Sequence, residues 1–278
     1  MFDNVLVGVG DRLGGHDALA LARQLVSSDG GLTLVQVQVI TRKPSADSGH
    51  VREAEERQRE LAALASIREK ARVDAQIASV KGLSVARGLH ATARLQRADL
   101  IVVGASRANE VDQMLIGDDT REVLREGPCA VAVAPVGYAT RARPLNEVAI
   151  AYDGSPASER ALEIARQVAA DTQARVLAFQ AVPVEAAARG PWNPDAEIAA
   201  AVDTATRRIG TLGDVEPVVR SGELAEELAR FQPSVDLLVI GAHEHARIDR
   251  FLRVSTSETL AEHPSSPLLL LPPADTAA

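Results

Sequence analysis

The sequence predicts two tandem α/β domains, each a five-stranded parallel sheet with helices on both faces. Three observations carry that expectation. The length, 278 residues, corresponds to about two domains. Short aliphatic runs alternate with helix-period segments, the pattern of a parallel sheet covered on both sides. The chain also repeats itself. Residues 5–26, VLVGVGDRLGGHDALALARQLV, align without gaps to 148–169, VAIAYDGSPASERALEIARQVA, at an offset of 143. Ala18, Leu19, Ala22, Arg23 and Gln24 recur as Ala161, Leu162, Ala165, Arg166 and Gln167. Residues 98–135 align to 235–272 at an offset of 137, so the middle of the second copy is a net six residues shorter. Shared strand composition alone would not repeat the identities of a helix. The expected domains are 1–138 and 146–273. A linker near 136–146 carries Gly137, two arginines and Pro144, as a boundary should.

In the first half, strands are expected near 3–9, 32–39, 74–80, 99–104 and 129–135, where the aliphatic runs fall. Helices are expected near 17–28, 50–71, 84–97 and 118–126. Gly30-Gly31 would end the first helix ahead of strand two. The segment VREAEERQRELAALASIREKA alternates charge densely and keeps Leu61, Leu64 and Ile67 on one side. It reads as a solvent-facing helix with a narrow apolar stripe. In the second half, strands are expected near 147–152, 175–182, 215–220, 236–241 and 267–271. Helices are expected near 156–170, 194–211, 223–231 and 255–263. Ser155-Pro156 places a capping residue before a proline in the first helical turn.

Composition excludes several classes. Apolar residues make up 46% and charged residues 24%, as in an ordinary globular protein. The net charge of −8, with no Lys/Arg block, argues against nucleic-acid binding, which runs on phosphate neutralisation. A single cysteine, Cys129, excludes an internal disulfide and a zinc site built on several thiolates. It lies in the fifth strand, where a buried, unreactive thiol is the default. The start, MFDNVLVGVG, lacks a basic segment followed by an apolar stretch, and no run approaches the length of a membrane span. The expected location is the cytoplasm, with no membrane partner.

Open parallel sheets take ligands beyond the carboxyl ends of their strands, where the strand order reverses. The loops after strands one and four of each half are therefore the candidate site. After strand one, the second half reads YDGSPAS with Asp153 at the strand tip, and the first half has Gly10 there, followed by Asp11. After strand four, the first half has Gly104 and a loop to Gly117, and the second has Gly241 and a loop to Val254-Ser255. Asp153 has a plainer reading as a turn residue, since Asp and Gly are common in turns. His243-Glu244-His245 places two histidines close together without an evident third ligand, and a polar surface loop is the better reading. His16, His50, His90 and His263 form no spacing pattern.

AYDGSPASERALEIA and VDLLVIGAHEHARIDRFLRVSTSETLAEHPSSPLLLLP closely resemble the opening and closing segments of universal stress proteins. The resemblance covers nearly all of both halves and is to a tandem, two-domain member. It implies a Rossmann-like fold of the adenine nucleotide alpha hydrolase-like type. It also implies a phosphate motif, G-x2-G-x9-G-[ST], after strand four, where amides and a hydroxyl hold phosphates. An acid at the end of strand one would face the adenine and ribose.

Neither half keeps that motif intact. Its positions are Gly104, Arg107, Gly117 and Asp118 in the first half, and Gly241, Glu244, Val254 and Ser255 in the second. The surviving nucleotide-binding positions are Asp153, Gly241, Ser255, Gly104 and Gly117. Asp118 and Glu244 would repel phosphate, and Val254 stands where the backbone must come close. No Walker loop, HEXXH or GXSXG is present, and no catalytic or metal-binding residue is expected. The expectation is a non-enzymatic stress-response or regulatory protein with degenerate sites, weak or no ATP binding and no bound cofactor. The alternative is a true ATP or adenine-nucleotide binder, with slow hydrolysis. The apolar fifth strands, AVAVAP and PLLLLP, want cover. The resemblance, to a family in which the last strands of two domains commonly meet, implies a pseudo-dimer of the two domains within the chain, with Val131 and Val133, or their neighbours on the opposite face, against Leu268–Leu270, and a homodimer or an unidentified protein partner through the remaining surface.

Overall fold

The computed structural model describes residues 1–10, 14–40, 49–105, 118–125, 127–183, 194–241 and 264–273. It divides into two compact units, Phe2–Ala142 and Arg143–Ala278, the latter taking Met1 as well. In the first unit the elements are β1 (Phe2–Gly8), α1 (Gly15–Leu25), β2 (Val26–Val39), α2 (Gly49–Ala71), β3 (Gln76–Gly82), α3 (Val85–Gln96), β4 (Leu100–Gly104), α4 (Asp118–Arg125), β5 (Ala130–Ala134) and α5 (Tyr138–Arg141). The strands run β3-β2-β1-β4-β5, and every pairing is parallel.

The second unit holds β6 (Glu147–Ala151), α6 (Pro156–Thr172), β7 (Arg175–Val182), α7 (Pro194–Gly210), β8 (Val215–Ser221), α8 (Leu224–Phe231), β9 (Leu237–Gly241) and β10 (Leu268–Leu271), with a short 3-10 turn at Gln232–Ser234. Its strands run β8-β7-β6-β9-β10, again all parallel. Each unit repeats the other's topology, and strand order reverses between β1 and β4 and between β6 and β9. The helix expected near 255–263 lies outside the described residues.

Both faces of these sheets are covered. Successive strand residues point to opposite faces. All five residues of β4 and all five of β5 are nonetheless buried. In the second unit Leu237, Leu238, Val239, Leu268 and Leu269 are fully buried. Uninterrupted aliphatic runs are what such strands need. Helix α2 is the contrast: Leu64 is buried, Leu61 and Ile67 are half-buried, and most of the other side chains described between 54 and 71 are exposed.

Ser155 caps α6 as its sequence predicts: its hydroxyl accepts from the Ser158 N–H at 3.2 Å, with Pro156 in the first turn. The first helix departs from expectation. It ends at Leu25, and Val26 is already extended, so Gly30-Gly31 lies inside β2 and does not terminate α1. The β1–β2 register slips between Phe2↔Val26 and Asn4↔Gly31, and the SSDGG residues absorb the slack as a bulge. Gly30 is needed there because a Cβ would come within 2.9 Å of the Phe2 carbonyl oxygen.

The linker segment is also more ordered than its composition suggests. Gly137 adopts φ +76, and α5 follows it with Tyr138 buried. The Asp17 carboxylate accepts from the N–H groups of Gly137 and Ala139, both at 2.8 Å. An acid in the first turn of α1 thus caps a helix 120 residues further on.

A second carboxylate clamp appears once per unit. Asp99 accepts from the N–H groups of Asp3 and Asn4 at 2.7 and 3.0 Å. Asp236, its repeat counterpart, accepts from Asn146 and Glu147 at 2.9 and 3.1 Å. In each unit the residue just before the fourth strand ties down the start of the first strand. These are charge-assisted bonds, stronger than neutral ones.

Candidate nucleotide crevice

The candidate site of the second unit is built on the carboxyl ends of β6, β7 and β9. Tyr152 follows β6 and continues its ladder, with its N–H donating to the Phe179 carbonyl at 2.8 Å. Asp153 comes next and is exposed. Its carboxylate accepts from the Ser155 N–H at 2.9 Å, an Asx-type turn, so the plainer reading of this residue is realised. Gly154 takes φ +81, which completes the turn into α6.

Gly241 ends β9 against the first turn of α6. A Cβ there would stand 2.1 Å from the carbonyl oxygen of Ala157. This glycine lets helix and strand backbones meet, a packing duty independent of any ligand. In the first unit the helix start approaches the strand end less closely: at Gly14, with φ +51, a Cβ would lie 3.1 Å from the Ala105 oxygen and 3.3 Å from the Gly104 Cα. The carbonyl of Gly104 accepts from the hydroxyl of fully buried Thr120 at 3.4 Å. Gly10, at the position of Asp153, has open space where a Cβ would go. Gly117, Ser255, Arg107, Glu244, Val254, His243 and His245 lie outside the described residues. So does the side chain of Asp118, the first residue of α4. Among the described residues no three His, Cys, Asp or Glu side chains gather as a metal site.

Sequence reasoning missed a polar cluster beside Asp153. The Tyr152 hydroxyl donates to the Glu159 carboxylate at 2.5 Å. Arg208, on α7, lays its guanidinium 5.9 Å from the centre of the Tyr152 ring, within cation–π range. Its Nη2 donates to Gln180 Oε1 near the end of β7 at 2.8 Å. A Cβ on Gly154 would stand 3.5 Å from its Nη1. The one signal in sequence was Tyr152 itself, one of only two tyrosines in the chain. Arg208 lies 56 residues downstream of Tyr152, and nothing in its local pattern sets it apart.

Burial, then the hydrogen bond to Glu159 and its charge, push the Tyr152 phenol up to about 12. Absorbance at 295 nm should therefore show one of the two phenols ionising well above its ordinary value of about 10. Glu159→Ala should bring that midpoint down. The unfolded chain gives up this proton near pH ~10 while the folded one holds it. Stability of the second unit should accordingly fall as pH rises from about 10 to about 12. A single transition near pH ~10 for both phenols of the folded protein would contradict this assignment.

Two other features carry no chemistry. Cys129 is half-buried, and burial, followed by the Asp99 charge, raises its thiol to about 12, so it is not a nucleophile at neutral pH. At the amino ends of β7 and β8 a concavity of about 600 Å³ is lined by Arg166, Arg175, Asp214 and Glu216 among others. Its charges neutralise one another: Arg166 meets Asp214 at 2.5 Å and Arg175 meets Glu216 at 3.3 Å. Bonding to Arg166 holds the Asp214 carboxyl below its ordinary range.

The model of the universal stress protein family matches the chain twice, over residues 1–135 and 145–272. The chain belongs to the universal stress protein family. It is a tandem member, and the internal repeat is the repeat of that domain. A universal stress protein of Synechocystis sp. is 28% identical over 177 residues, covering 62% of this chain. The match spans 57% of that relative's own length. Among solved structures, a universal stress protein from Archaeoglobus fulgidus is similar with a TM-score of 0.68 at 16% identity, covering 97% of this chain and 98% of that one. A protein from Pseudomonas aeruginosa, also described as a universal stress protein, gives 0.69 at 19% identity, with 99% and 95% covered. These likenesses establish the fold. Among the described residues, no helix of this universal stress protein is long and apolar enough to cross a membrane.

Proposed function

We propose that this universal stress protein is a non-enzymatic stress-response or regulatory protein of the cytoplasm, whose two nucleotide crevices bind ATP weakly or not at all and need no cofactor. The observation that carries this reading is that neither half of the sequence carries the full set of motif residues. The first has Gly10 where the acid belongs, and Arg107 and Asp118 in the phosphate motif. The second has Glu244 and Val254 in place of two glycines. Affinity for a triphosphate comes mainly from converging amides, which need a backbone free to approach. Each defect costs a few kcal/mol, and about 1.4 kcal/mol is tenfold in affinity. Two such defects move a micromolar site toward the millimolar range. The duplication supports pairing of the two domains within one chain, and association of two chains or of a protein partner through the remaining surface.

A second reading, a true adenine-nucleotide binder with slow hydrolysis, is favoured by one observation. Asp153 and Gly241 survive together at the switch point of the second unit. Isothermal titration with ATP and magnesium separates the two. The expected dissociation constant is weaker than about 100 µM in both domains. A micromolar or tighter constant, abolished by Asp153→Ala, would establish the second reading instead.

A further inference from the structure

β3 closes one side of the first unit's sheet and β8 one side of the second's, and the two edges differ in character. In the second unit the N–H of Gly222, just beyond β8, donates to the Val182 carbonyl at 3.0 Å. Backbone groups alternate in direction along a strand, so Pro217 turns its nitrogen away from β7 and no ladder bond is missed. A proline placed this way also guards the edge against a further strand. In the first unit the Gly82 carbonyl accepts from the Ile40 N–H at 2.9 Å. Ile77, Ser79 and Lys81 therefore direct their N–H and C=O groups out of the sheet. The registers pair Leu34 with Ile77 and Ala178 with Pro217. The N–H of Val9 donates to Val35 and that of Tyr152 to Phe179, which makes Leu34 and Ala178 equivalent. Ile77 is thus the counterpart of Pro217: where the second unit has closed its edge, the first keeps a donor. Among the described residues no strand pairs with β3 on that side.

The side chains along this edge suit a second strand of the same sequence. Ile77, Ala78 and Val80 are half-buried, so a neighbouring strand takes apolar area out of water. Ser79 donates to Glu60 of α2, and Gln38, the register partner of Lys81, donates to Glu56 of the same helix. Ile77, Ser79 and Lys81 therefore share the face that α2 covers. In an antiparallel pair of β3 strands with a two-fold axis at Ser79, Ile77 stands opposite Lys81 of the second copy, and Ala78 opposite its Val80. Lys81 is then diagonal to Ser79 of the second copy, a distance that a long side chain spans. There it meets the Glu60 carboxylate that Ser79 holds. A lysine on an edge strand ordinarily discourages pairing. Here the partner edge supplies the acid that answers it, and the axis repeats the pair.

We propose that the outer edge of β3 is a self-association surface, on which two copies of this chain pair β3 with β3, antiparallel about Ser79. The inference rests on the reading that two chains associate, and it names the surface. A single seven-residue strand on each side makes an interface smaller than the about 1,200–2,000 Å² of stable complexes, so the dimer is weak and reversible.

Sedimentation velocity of the full chain over a micromolar concentration series should show a reversible monomer–dimer equilibrium. Ile77→Pro copies the closed edge of the second unit onto the first, removing an outward N–H and no bond to β2. It should sediment as a monomer throughout, with melting within a few degrees of wild type. Lys81→Glu leaves the backbone untouched if the proline disturbs the strand, and it should weaken the dimer about tenfold. Adding Glu60→Lys to Lys81→Glu should restore the dimer, a rescue that a damaged fold would not give. Dimerisation of wild-type strength in both Ile77→Pro and Lys81→Glu would overturn the assignment of the β3 edge and leave the association of two chains standing. A wild-type protein that stays monomeric across the series would overturn that association itself, so the two failures are told apart.

Discussion

Leu269→Asp is expected to unfold the second unit. Leu269 lies in β10 opposite Val239 of β9, and both are fully buried. Truncating a buried leucine to alanine already costs about 2–5 kcal/mol. An aspartate adds a carboxylate with no partner in an aliphatic layer, which costs several kcal/mol more or forces the group to stay protonated. Native domains carry only about 5–15 kcal/mol in all, so the loss consumes much of the reserve. The expected outcome is insoluble protein, or a melting temperature lowered by more than about 15 °C with Leu269→Ala in between. Leu95→Asp is the control, since Leu95 is 85% exposed and should tolerate the charge. Identical melting of wild type and Leu269→Asp would mean that β10 is not part of the core.

Gly241→Ala should be the most damaging single-methyl addition among the described residues. The new Cβ would lie 2.1 Å from the Ala157 oxygen and 2.6 Å from its carbonyl carbon. Both are backbone atoms of the first turn of α6, so no side-chain rotation relieves the clash. Either the helix start or the strand end must move, and overpacking of this kind costs about 3 kcal/mol. At about 4 °C per kcal/mol, the melting temperature should drop by about 12 °C. Gly210→Ala is the matched control: a Cβ there meets nothing within 4 Å, and the change should be neutral or slightly stabilising. A Gly241→Ala variant that melts like wild type would show that the strand–helix contact relaxes freely. The expected loss also bears on function, since a glycine that packing requires is retained whether or not a phosphate ever binds beside it.

The candidate site was legible in sequence to different depths. Asp153 and Gly241 were found because strand ends and repeat alignment mark them, and the structure puts both at the switch point of the second unit. What they do there was open. One oxygen of the Asp153 carboxylate accepts from the Ser155 N–H, and Gly241 serves the approach of α6. Tyr152 and Arg208 escaped notice for opposite reasons. Tyr152 looked like an ordinary strand residue, and Arg208 sits on a helix whose charges serve solvent almost everywhere else. Their contact joins residues 56 positions apart in the chain, which no local pattern encodes.

The sequence by itself determined the architecture of each domain. Aliphatic runs of strand length must be covered on both faces, helix-period segments must supply the cover, and a repeated segment folds the same way twice. Those are local consequences of burial and periodicity, so the parallel strands, the alternating helices and the Ser155 cap were all readable one segment at a time. Only the tertiary structure decided the contacts between residues far apart in the chain. Asp17 capping α5, the paired clamps of Asp99 and Asp236, the bulge that draws Gly30-Gly31 into β2, and the arginine laid across Tyr152 all depend on where two distant backbones come to rest. A carboxylate or guanidinium has the same local preference in any of several partners' company, and it is packing of the whole domain that selects one.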